Sequence, residues 1–331
     1  MTSPAARLKT AVYRLESLDI YRNLAAEECL FHELPSGHCR FVLWRSRPSV
    51  VIGKNQNPWR ECHLPAMTAE GIRLARRISG GGAVYHDPGN LNFGFIVDSR
   101  HYDFDRQIQV VRNALQALGI DAVTGPRHIL LAAGRKISGN AFYYRRNTAL
   151  HHGTLLFDAD PGRLRRCLQP TIDGIETRSI ASHPVDTVNL RDLAPDLTLP
   201  QLEEKLIETF HLEYGDVDTY SVMHDGDCDA AAVDELQDKY AGAAWRFGMT
   251  APFTLRLRHG DHATAVTAVL QIRKGSIESA EFSGAGAASL DGVATALEGC
   301  DFRTVALQDR LRVAGMAGSE FGDWLGALPG A

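Results

Sequence analysis

The sequence lacks the patterns that identify several large classes of protein. Its six cysteines form neither a Cys-x-x-Cys pair nor a zinc-like spacing with histidine, so we expect reduced thiols in a cytoplasmic protein. No apolar run approaches the roughly 18 residues of a membrane span. The polar start at residues 1–9 does not have the apolar core of a secretory signal. We therefore expect a cytoplasmic location and no association with a membrane.

The chain also has little excess charge of either sign. It contains 35 lysines and arginines against 40 aspartates and glutamates, for a net charge of −5. This balance argues against nucleic-acid binding by charge, although an acidic protein can still bind an acidic partner through a local basic patch. A length of 331 residues with 44% hydrophobic residues allows one large globular domain and a smaller one.

Several common catalytic motifs are missing as well. The sequence has no Gly-x-Ser-x-Gly elbow, no Ser-His-Asp order typical of an esterase, no P-loop and no Gly-x-Gly-x-x-Gly after a strand. Chemistry that stabilises negative charge on an acyl phosphate therefore fits better than a covalent nucleophile.

Residues 72–97 are the stretch around which the other motifs are arranged, and they predict strand, glycine turn, strand, loop and strand. Three consecutive glycines let backbone N–H groups approach an anion closely, and a neighbouring arginine adds a planar charged fork. A plain hairpin with a flexible tip is the simpler interpretation of a triple glycine alone. The surrounding polar residues favour an anion-binding loop. They are Arg76, Arg77, Ser79, Gly80, Gly81, Gly82, His86 and Asn90.

A second polar segment is residues 134–140, Gly-Arg-Lys-Ile-Ser-Gly-Asn. If a strand begins at Lys136, then Lys136, Ser138 and Asn140 share one face and Gly139 lies on the other. Lysine carries a compact charge that can bridge carboxylate and phosphate oxygens. A surface lysine beside a turn is the simpler alternative.

A third segment places His151 and His152 in a strand. Adjacent strand residues point to opposite faces, so at most one of these histidines lines a given pocket. A lone histidine in a strand is more often structural than a ligand, and this pair has no metal-like partners at a fixed spacing.

Hydrophobic periodicity predicts an α+β fold with a mixed, largely antiparallel sheet flanked by helices. The predicted strands are 11–17, 40–45, 49–53, 121–124, 128–133, 136–144 and 148–157, and the predicted helices are 20–34, 104–118, 161–168 and one opened by Pro200. Residues 170–190 predict a long irregular loop, which is often functional. Residues 214–240 predict an acidic connection with one short helix. After residue 249 we predict a separate α+β unit with a three-stranded meander (253–257, 263–272, 277–282) and helices at 290–297 and 304–311.

Four ordered segments resemble motifs of the lipoate–protein ligase family. They are residues 51–62 (its Gly-x-x-Gln-Asn-Pro loop), 76–87 (its lipoate-binding loop), 134–139 (its lysine segment) and 151–156 (its His-His-Gly segment). Residues 23–29 also resemble a family helix, and residues 245–253 resemble the start of the accessory domain of the longer bacterial ligases. The resemblance therefore covers nearly the whole chain.

The resemblance implies a fold shared with biotin protein ligases and class II synthetases. It implies a catalytic domain at 1–246 and a small accessory C-terminal domain at 250–331. The implied activity has two half-reactions, in which lipoate and MgATP form lipoyl-AMP, and the lipoyl group then passes to one lysine of a lipoyl domain. The implied partners are 2-oxoacid dehydrogenase E2 subunits and the glycine-cleavage H protein. Neither nucleic acid nor a membrane is expected as a partner.

The resemblance also implies roles for individual residues. Lys136 is the expected catalytic residue, which would bridge the acyl carbonyl and the phosphate. We expect Trp44 to line an apolar tunnel for the lipoyl tail, and His152 and Gly153 to close the pocket. The remaining expected contacts to substrate or adenylate are Arg77, Ser79, Gly80, Gly81, Gly82, His86, Asn90, Ser138 and Gly139. No residue is assigned to Mg²⁺.

Two departures from the family pattern keep alternatives open. Arg127 and His128 stand where the family commonly has an acidic residue suited to magnesium or nucleotide, and residues 174–190 are longer than the adenylate loop of the familiar bacterial ligases. At both positions the sequence resembles that of lipoyltransferases, which use pre-formed lipoyl-AMP or a lipoylated carrier without adenylating the free acid.

Two further alternatives remain. A cysteine-dependent octanoyltransferase would need Cys62 or Cys167 in the pocket, because residues 119–135 contain no cysteine. A non-catalytic binding protein on the ligase scaffold is the other alternative.

Overall fold

The computed structural model describes residues 8–215, 218–223, 229–261, 264–287 and 290–328. The strands are β1 (Lys9–Leu15), β2 (His38–Trp44), β3 (Ser49–Ile52), β4 (Arg73–Arg76), β5 (Val84–His86), β6 (Asn90–Asp98), β7 (Val123–Thr124), β8 (Leu130–Ala132), β9 (Arg135–Ser138), β10 (Asn140–Arg145), β11 (Thr148–Leu156), β12 (Ile175–Thr177), β13 (Thr219–Met223), β14 (Phe253–His259), β15 (Val266–Arg273) and β16 (Ser276–Ser283). The helices are α1 (Ile20–His32), α2 (Pro58–Glu61), α3 (Leu64–Ala69), α4 (Phe104–Ala117), α5 (Pro161–Cys167), α6 (Leu190–Leu193), α7 (Leu199–Tyr214), α8 (Ala230–Ala241), α9 (Ala243–Arg246), α10 (Asp291–Leu297), α11 (Thr304–Val313) and α12 (Glu320–Ala327).

The central element is a six-stranded sheet in the order β10-β11-β6-β2-β1-β13. The pairings from β10 to β2 are antiparallel, whereas β1 pairs in parallel with β2 and β13. This arrangement confirms the predicted mixed, largely antiparallel sheet in an α+β fold.

Helices cover both faces of this sheet, and the strand residues alternate accordingly. Phe41 and Phe95 belong to a hydrophobic cluster with α4 and α7, and the ring of Phe41 stacks on Phe210 at 5.0 Å between centroids. Val42 and Ile96 belong to a separate cluster with α1. Because both faces are covered, all nine residues of β6 are buried, including the polar residues Asn90, Asn92 and Asp98.

Side-chain caps set the start of the two helices nearest the sheet. The carboxylate of Asp19 accepts hydrogen bonds from the first turn of α1, and Asp103 does the same for α4. Both helices begin and end near the predicted positions.

The glycine-rich stretch does not form a hairpin, so that simpler interpretation is wrong. β4 and β5 both pair with β3, which lies between them in a separate three-stranded sheet. The glycine loop therefore crosses the end of β3 and packs closely on it. A Cβ atom at Gly53, just after β3, would lie 2.2 Å from the carbonyl oxygen of Gly81, so only glycine fits there.

Two sequence-based element predictions are wrong. Residues 136–144 form two strands in different sheets, because the chain leaves β9 at Gly139 and joins the main sheet as β10. Residues 214–240 are more than a connection: β13 extends the main sheet beside β1, and α8 packs on α1. Tertiary pairing overrides the weak local periodicity of that segment. Cys228 and residues 216–217 and 224–227 lie outside the described residues.

The C-terminal sheet has the order β12-β14-β15-β16. The predicted meander is β14–β16, although residue 263 lies outside the described residues. Its fourth strand was not predicted, because β12 comes from the long 170–190 loop. The helix α12 was also missed.

A hydrophobic cluster joins the C-terminal sheet to the rest of the chain. The buried ring of Trp59 lies 5.4, 5.4 and 5.3 Å from the ring centroids of Phe247, Phe253 and Phe302. The division at residues 246–250 therefore runs through a shared core, and we keep it as a proposal.

Arg76 ties the segment at that division to the loop after β3. This fully buried guanidinium donates to the carbonyls of Lys54 at 2.9 Å and Gln56 at 2.7 Å, and to those of Trp245 and Arg246 at 3.0 and 2.7 Å. Burial lowers the pKa of Arg76 to about 10, so it remains charged at neutral pH. The fork geometry of arginine lets one side chain satisfy both segments.

No helix among the described residues is long and apolar enough to cross a membrane.

Candidate active site

A cavity of about 550 Å³ lies between the main sheet, the glycine loop, the turn at 126–134 and the loop at 180–185. It brings together nine of the residues that the sequence predicted for the site. They are Trp44, Arg77, Gly81, Gly82, His86, Lys136, Gly139, His152 and Gly153. The cavity therefore unites the glycine, lysine and histidine segments.

Four predicted site residues do not line the cavity. Ser79 and Asn90 are fully buried behind it, and Gly80 contributes its carbonyl oxygen to Arg77. Ser138 is also fully buried, and its hydroxyl has no hydrogen-bond partner among the described residues. A β-bulge opposite Leu130 interrupts the alternation of β9. The predicted common face for Lys136 and Ser138 is therefore wrong.

A chain of buried hydrogen bonds runs along one wall of the cavity from a cation to an anion. Arg77 Nε donates to Ser79 Oγ at 3.0 Å, and Ser79 Oγ lies 2.6 Å from His152 Nε2. His152 Nδ1 lies 2.8 Å from a carboxylate oxygen of Glu27. The Ser79 hydroxyl can accept from Arg77 and donate to His152 Nε2, and in that arrangement the Nδ1–H of His152 faces the Glu27 carboxylate. The histidine thus connects the two charges.

Arg77 also shapes the glycine loop. Its guanidinium donates to the carbonyls of Val51 at 3.1 Å, Gly80 at 2.5 Å and Gly82 at 2.9 Å. Gly81 between them has φ of +89°, and a Cβ there would lie 2.9 Å from Arg77 Nη2. Burial lowers the pKa of Arg77 to about 10, with Glu27 opposing the shift. Arg77 therefore stays charged and holds the loop open toward the cavity.

His86 lies in the lining of the cavity beside Trp44. It is buried edge-on to Trp44 with ring centroids 5.7 Å apart, and neither ring nitrogen has a hydrogen-bond partner among the described residues. Burial, with Arg77 and His152 nearby, lowers the pKa of His86 to about 3. The imidazole is therefore neutral, and both of its ring nitrogens are enclosed by the surrounding side chains.

Lys136 supplies a second cation to the cavity. Its side chain lies over Gly139, where a Cβ would come within 3.1 Å of Nζ. Its backbone is paired with the end of the long loop, donating to Asp186 O at 2.8 Å and accepting from Val188 N at 3.0 Å. Burial, followed by Arg77, lowers the pKa of Lys136. Within the described part of the chain the ammonium has no ion-pair partner, so it is available to a ligand anion.

The two adjacent histidines of β11 lie on opposite faces of the strand, as predicted. His152 lines the cavity, whereas His151 lies on the other face between Gln107 at 3.0 Å and Asn140 at 2.9 Å. The period of two along β11 was enough to determine this.

Sequence reasoning missed several residues that line the cavity. Glu27 and the loop residues 180–185 received no site assignment, although the segments containing both had been noted. Arg127 was noted only as a departure, and it lines the cavity on a turn with φ of +54°. The aromatic neighbours of the next residue, His128, hold this turn, with centroid distances of 4.6 Å to Phe104 and 5.2 Å to Phe142.

The side chains at the cavity do not form a protein-built metal site. Across the described ranges there is no group of three His, Cys, Asp or Glu side chains that could hold an ion. The one carboxylate in the cavity lining belongs to Glu27, and it is already bonded to His152. Mg²⁺ usually needs one or two carboxylates in addition to substrate phosphates, so we assign no ligand and route no step through a metal.

The five described cysteines are free and buried, and none lines the cavity. Cys62 and Cys167 lie in the hydrophobic cluster around Trp59, where burial raises the pKa of both thiols. A thiol in such surroundings is a poor nucleophile. The structure therefore gives no support to the cysteine-dependent alternative.

Comparison with known proteins identifies a matching family and similar folds. The lipoyl protein ligase A/B catalytic domain family matches residues 19–211. LipL1 of P. falciparum in complex with lipoate has the same fold at 22% identity, with a TM-score of 0.62 over 96% of this chain and 98% of its own.

Two further solved structures resemble the chain over most of their own length. The bipartite lipoate protein ligase of Thermoplasma acidophilum, solved with its E2 lipoyl domain, is 26% identical with a TM-score of 0.62, covering 74% of this chain and 98% of its own. A lipoate-protein ligase A bound with ATP is 27% identical with a TM-score of 0.60, covering 73% and 99%.

The fold and the cationic, glycine-lined cavity define an acyl-transferring enzyme of the ligase type. Since the match spans more than half of the sequence, the chain belongs to the lipoyl protein ligase A/B catalytic domain family.

Proposed function

We propose that this enzyme activates lipoate with ATP to lipoyl-AMP and transfers the lipoyl group to a lysine of a lipoyl domain. The observation that carries the proposal is the lining of this cavity, which combines apolar and cationic side chains. Leu24, Trp44 and Phe93 give it apolar walls, while Arg77 and Lys136 supply cations. An acyl tail with an anionic head matches that lining, and 550 Å³ lies within the usual range for such ligands.

In the first half-reaction a carboxylate oxygen of lipoate attacks the α-phosphorus of ATP, which enters as its magnesium complex. A new O–P bond forms, and the bond to the β-phosphate oxygen breaks to release pyrophosphate. In this proposal the ammonium of Lys136, which lines the cavity, bridges the acyl and phosphoryl oxygens, and Arg77 adds positive charge behind the glycine loop. Fixed cations in a partly buried site stabilise the charge that develops in the transition state.

In the second half-reaction the amine of the acceptor lysine attacks the acyl carbon of lipoyl-AMP. A C–N bond forms, the C–O bond to AMP breaks, and the amine loses a proton. Lys136 can hold the carbonyl and phosphate oxygens in place during this exchange. The described cavity offers no unengaged carboxylate as a base, because Glu27 is bonded to His152.

The proposed acceptors are lipoyl domains of 2-oxoacid dehydrogenase E2 subunits and the glycine-cleavage H protein. The structural relative solved with an E2 lipoyl domain supports the first of these. We further propose a cytoplasmic location, a catalytic domain at 1–246 and an accessory domain at 250–331.

One alternative has its own support. Arg127 lines the cavity on a turn where an acidic residue would be expected, and the 174–190 loop provides part of the cavity wall. A cavity that holds a pre-formed adenylate and lacks an acidic nucleotide contact would suit a lipoyl- or octanoyltransferase.

The test is acyl transfer to a purified apo-lipoyl domain, measured by intact mass in two reactions. One contains lipoate with MgATP, and the other contains lipoyl-AMP without ATP. Product in both reactions establishes a complete ligase. Product only from lipoyl-AMP establishes the transferase. No product in either, with the acceptor still bound, would contradict both and favour a binding protein.

A further inference from the structure

Ser182 lies at the junction of three segments that surround the cavity. Its backbone N–H donates to the buried carboxylate of Glu61 at 2.9 Å. Its hydroxyl oxygen accepts from the backbone N–H of Ala83 at 2.9 Å and from Gln56 Nε2 at 3.0 Å. Ser182 therefore links the end of the glycine loop to the polar loop after β3, and it also lines the cavity.

The directions of both hydrogen bonds to the hydroxyl are determined. The backbone N–H of Ala83 can only donate. Gln56 is oriented by its other end, because Gln56 Oε1 accepts from the backbone N–H of Gly53 at 2.9 Å, which leaves its NH₂ group facing Ser182. Both lone pairs of the Ser182 hydroxyl are therefore in use, and the hydroxyl can only donate to any further partner.

The remaining proton of Ser182 has no acceptor within the described residues. The side chain is only half-buried, and its open side is the cavity. Its oxygen lies 3.2 Å from the position of a Cβ on Gly82, the glycine whose carbonyl accepts from Arg77 Nη2 at 2.9 Å. The free O–H thus lies beside the glycine loop that Arg77 holds, near the cationic part of the cavity.

From this geometry we infer that Ser182 donates a hydrogen bond to an acyl or phosphoryl oxygen of the bound acyl-adenylate. The inference rests on the proposed function and adds a neutral donor to the cations of Arg77 and Lys136. Because two N–H groups fix the oxygen, the donor is oriented before the ligand binds. A pre-oriented donor costs little ordering entropy when the ligand arrives.

The test is binding of a non-hydrolysable lipoyl-adenylate analogue with a sulfamoyl linkage, measured by calorimetry. Ser182→Ala removes the donor and both acceptor positions, whereas Gln56→Ala weakens only the anchoring and leaves the Ser182 O–H intact. We expect Ser182→Ala to weaken binding about 10- to 100-fold, the loss typical of a hydrogen bond to a charged group. We expect Gln56→Ala to weaken it less than about threefold, and Ser182→Cys to lie between the two because a thiol is a weaker donor.

Ser283→Ala, at the exposed end of β16, is the matched control and should bind the analogue as the unmodified chain does. Equal losses for Ser182→Ala and Gln56→Ala would show that Ser182 only anchors the loop, and would overturn the inference. Unchanged binding by Ser182→Ala would overturn it as well. If the unmodified chain itself does not bind the analogue, the proposed function fails first and the inference fails with it.

Discussion

His152 and Glu27 are 125 positions apart in the sequence, and their side chains meet at 2.8 Å beside the cavity. Their contact completes a buried path of hydrogen bonds from Arg77 through Ser79 to a carboxylate. Two opposite charges are thereby coupled without touching each other, and the loop that carries the glycines is held against β11. Four testable predictions follow from this and the related contacts.

Lys136→Ala should reduce both half-reactions at least 100-fold, since loss of one pre-oriented charge at a transition state typically costs that much. Pyrophosphate release measures the first step, and the intact mass of the acceptor measures the second. Circular dichroism and the melting temperature should be unchanged. Lys205→Ala on α7, remote from the cavity lining, is the control. A fully active Lys136→Ala enzyme would remove Lys136 from the mechanism.

Glu27→Gln should lower the free energy of unfolding by about 1.5–3 kcal/mol, the range for hydrogen bonds to charged groups. The variant keeps the shape of the side chain but leaves buried Arg77 without its counter-charge. Urea denaturation measures the change. Glu278→Gln removes an exposed partner of Arg273 and should cost less than about 1 kcal/mol. Equal losses in the two variants would show that the buried path stabilises the fold no more than an exposed ion pair does.

Two buried histidines should make the enzyme sensitive to mild acid. Burial lowers the pKa of His86 and of His151 from 6.5 to about 3. Between pH 6.5 and 3 the unfolded chain therefore binds protons that the folded chain does not, and stability falls as the pH falls through this window. At pH 5 each histidine should cost about 2 kcal/mol relative to pH 7.5, at about 1.4 kcal/mol per pH unit below 6.5.

The measurement is urea denaturation at several pH values between 7.5 and 5. His151→Gln should reduce the slope of stability against pH by about one proton, whatever its stability at neutral pH. A slope identical to that of the unmodified chain would mean that His151 takes up its proton in the folded state.

Gly174→Ala should detach the cavity loop from the C-terminal sheet. Gly174 precedes β12 with φ of +75°, and a Cβ there would lie 2.1 Å from the carbonyl oxygen of Arg256 on β14. Hydrogen exchange should become faster at residues 175–185, and acyl transfer should slow. Gly315→Ala has a similar φ of +77° with no atom within 4 Å of the added Cβ, so it should cost about 1 kcal/mol without affecting that loop. Unchanged exchange in Gly174→Ala would show that the strand pairing does not hold the loop.

Sequence reasoning was most successful where the evidence was local. The helical spacing of α4 and the opposite faces of His151 and His152 each depend on residues within a few positions. The ordered motifs also indicated the family. Nine of the residues that they suggested for the site line one cavity.

Sequence reasoning failed where contacts with a distant segment determine the local structure. Ser138 does not line the cavity as predicted, because a bulge interrupts the pairing of β9 with β8. β12 became an edge strand of the C-terminal sheet although its own sequence reads as a loop, because β14 offered an unpaired edge. Weak local preferences of this kind are decided by the neighbour that is available.

The sequence alone therefore determined the fold class, the family and the residue types that carry charge to the site. Only the tertiary structure decided which of those charges are balanced, through Glu27 and His152, and that the Ser182 hydroxyl keeps a proton without an acceptor among the described residues. The physical reason is that hydrophobic periodicity records which face of an element is buried. The partner of a buried polar group depends on the one arrangement in which donors and acceptors far apart in sequence are satisfied together.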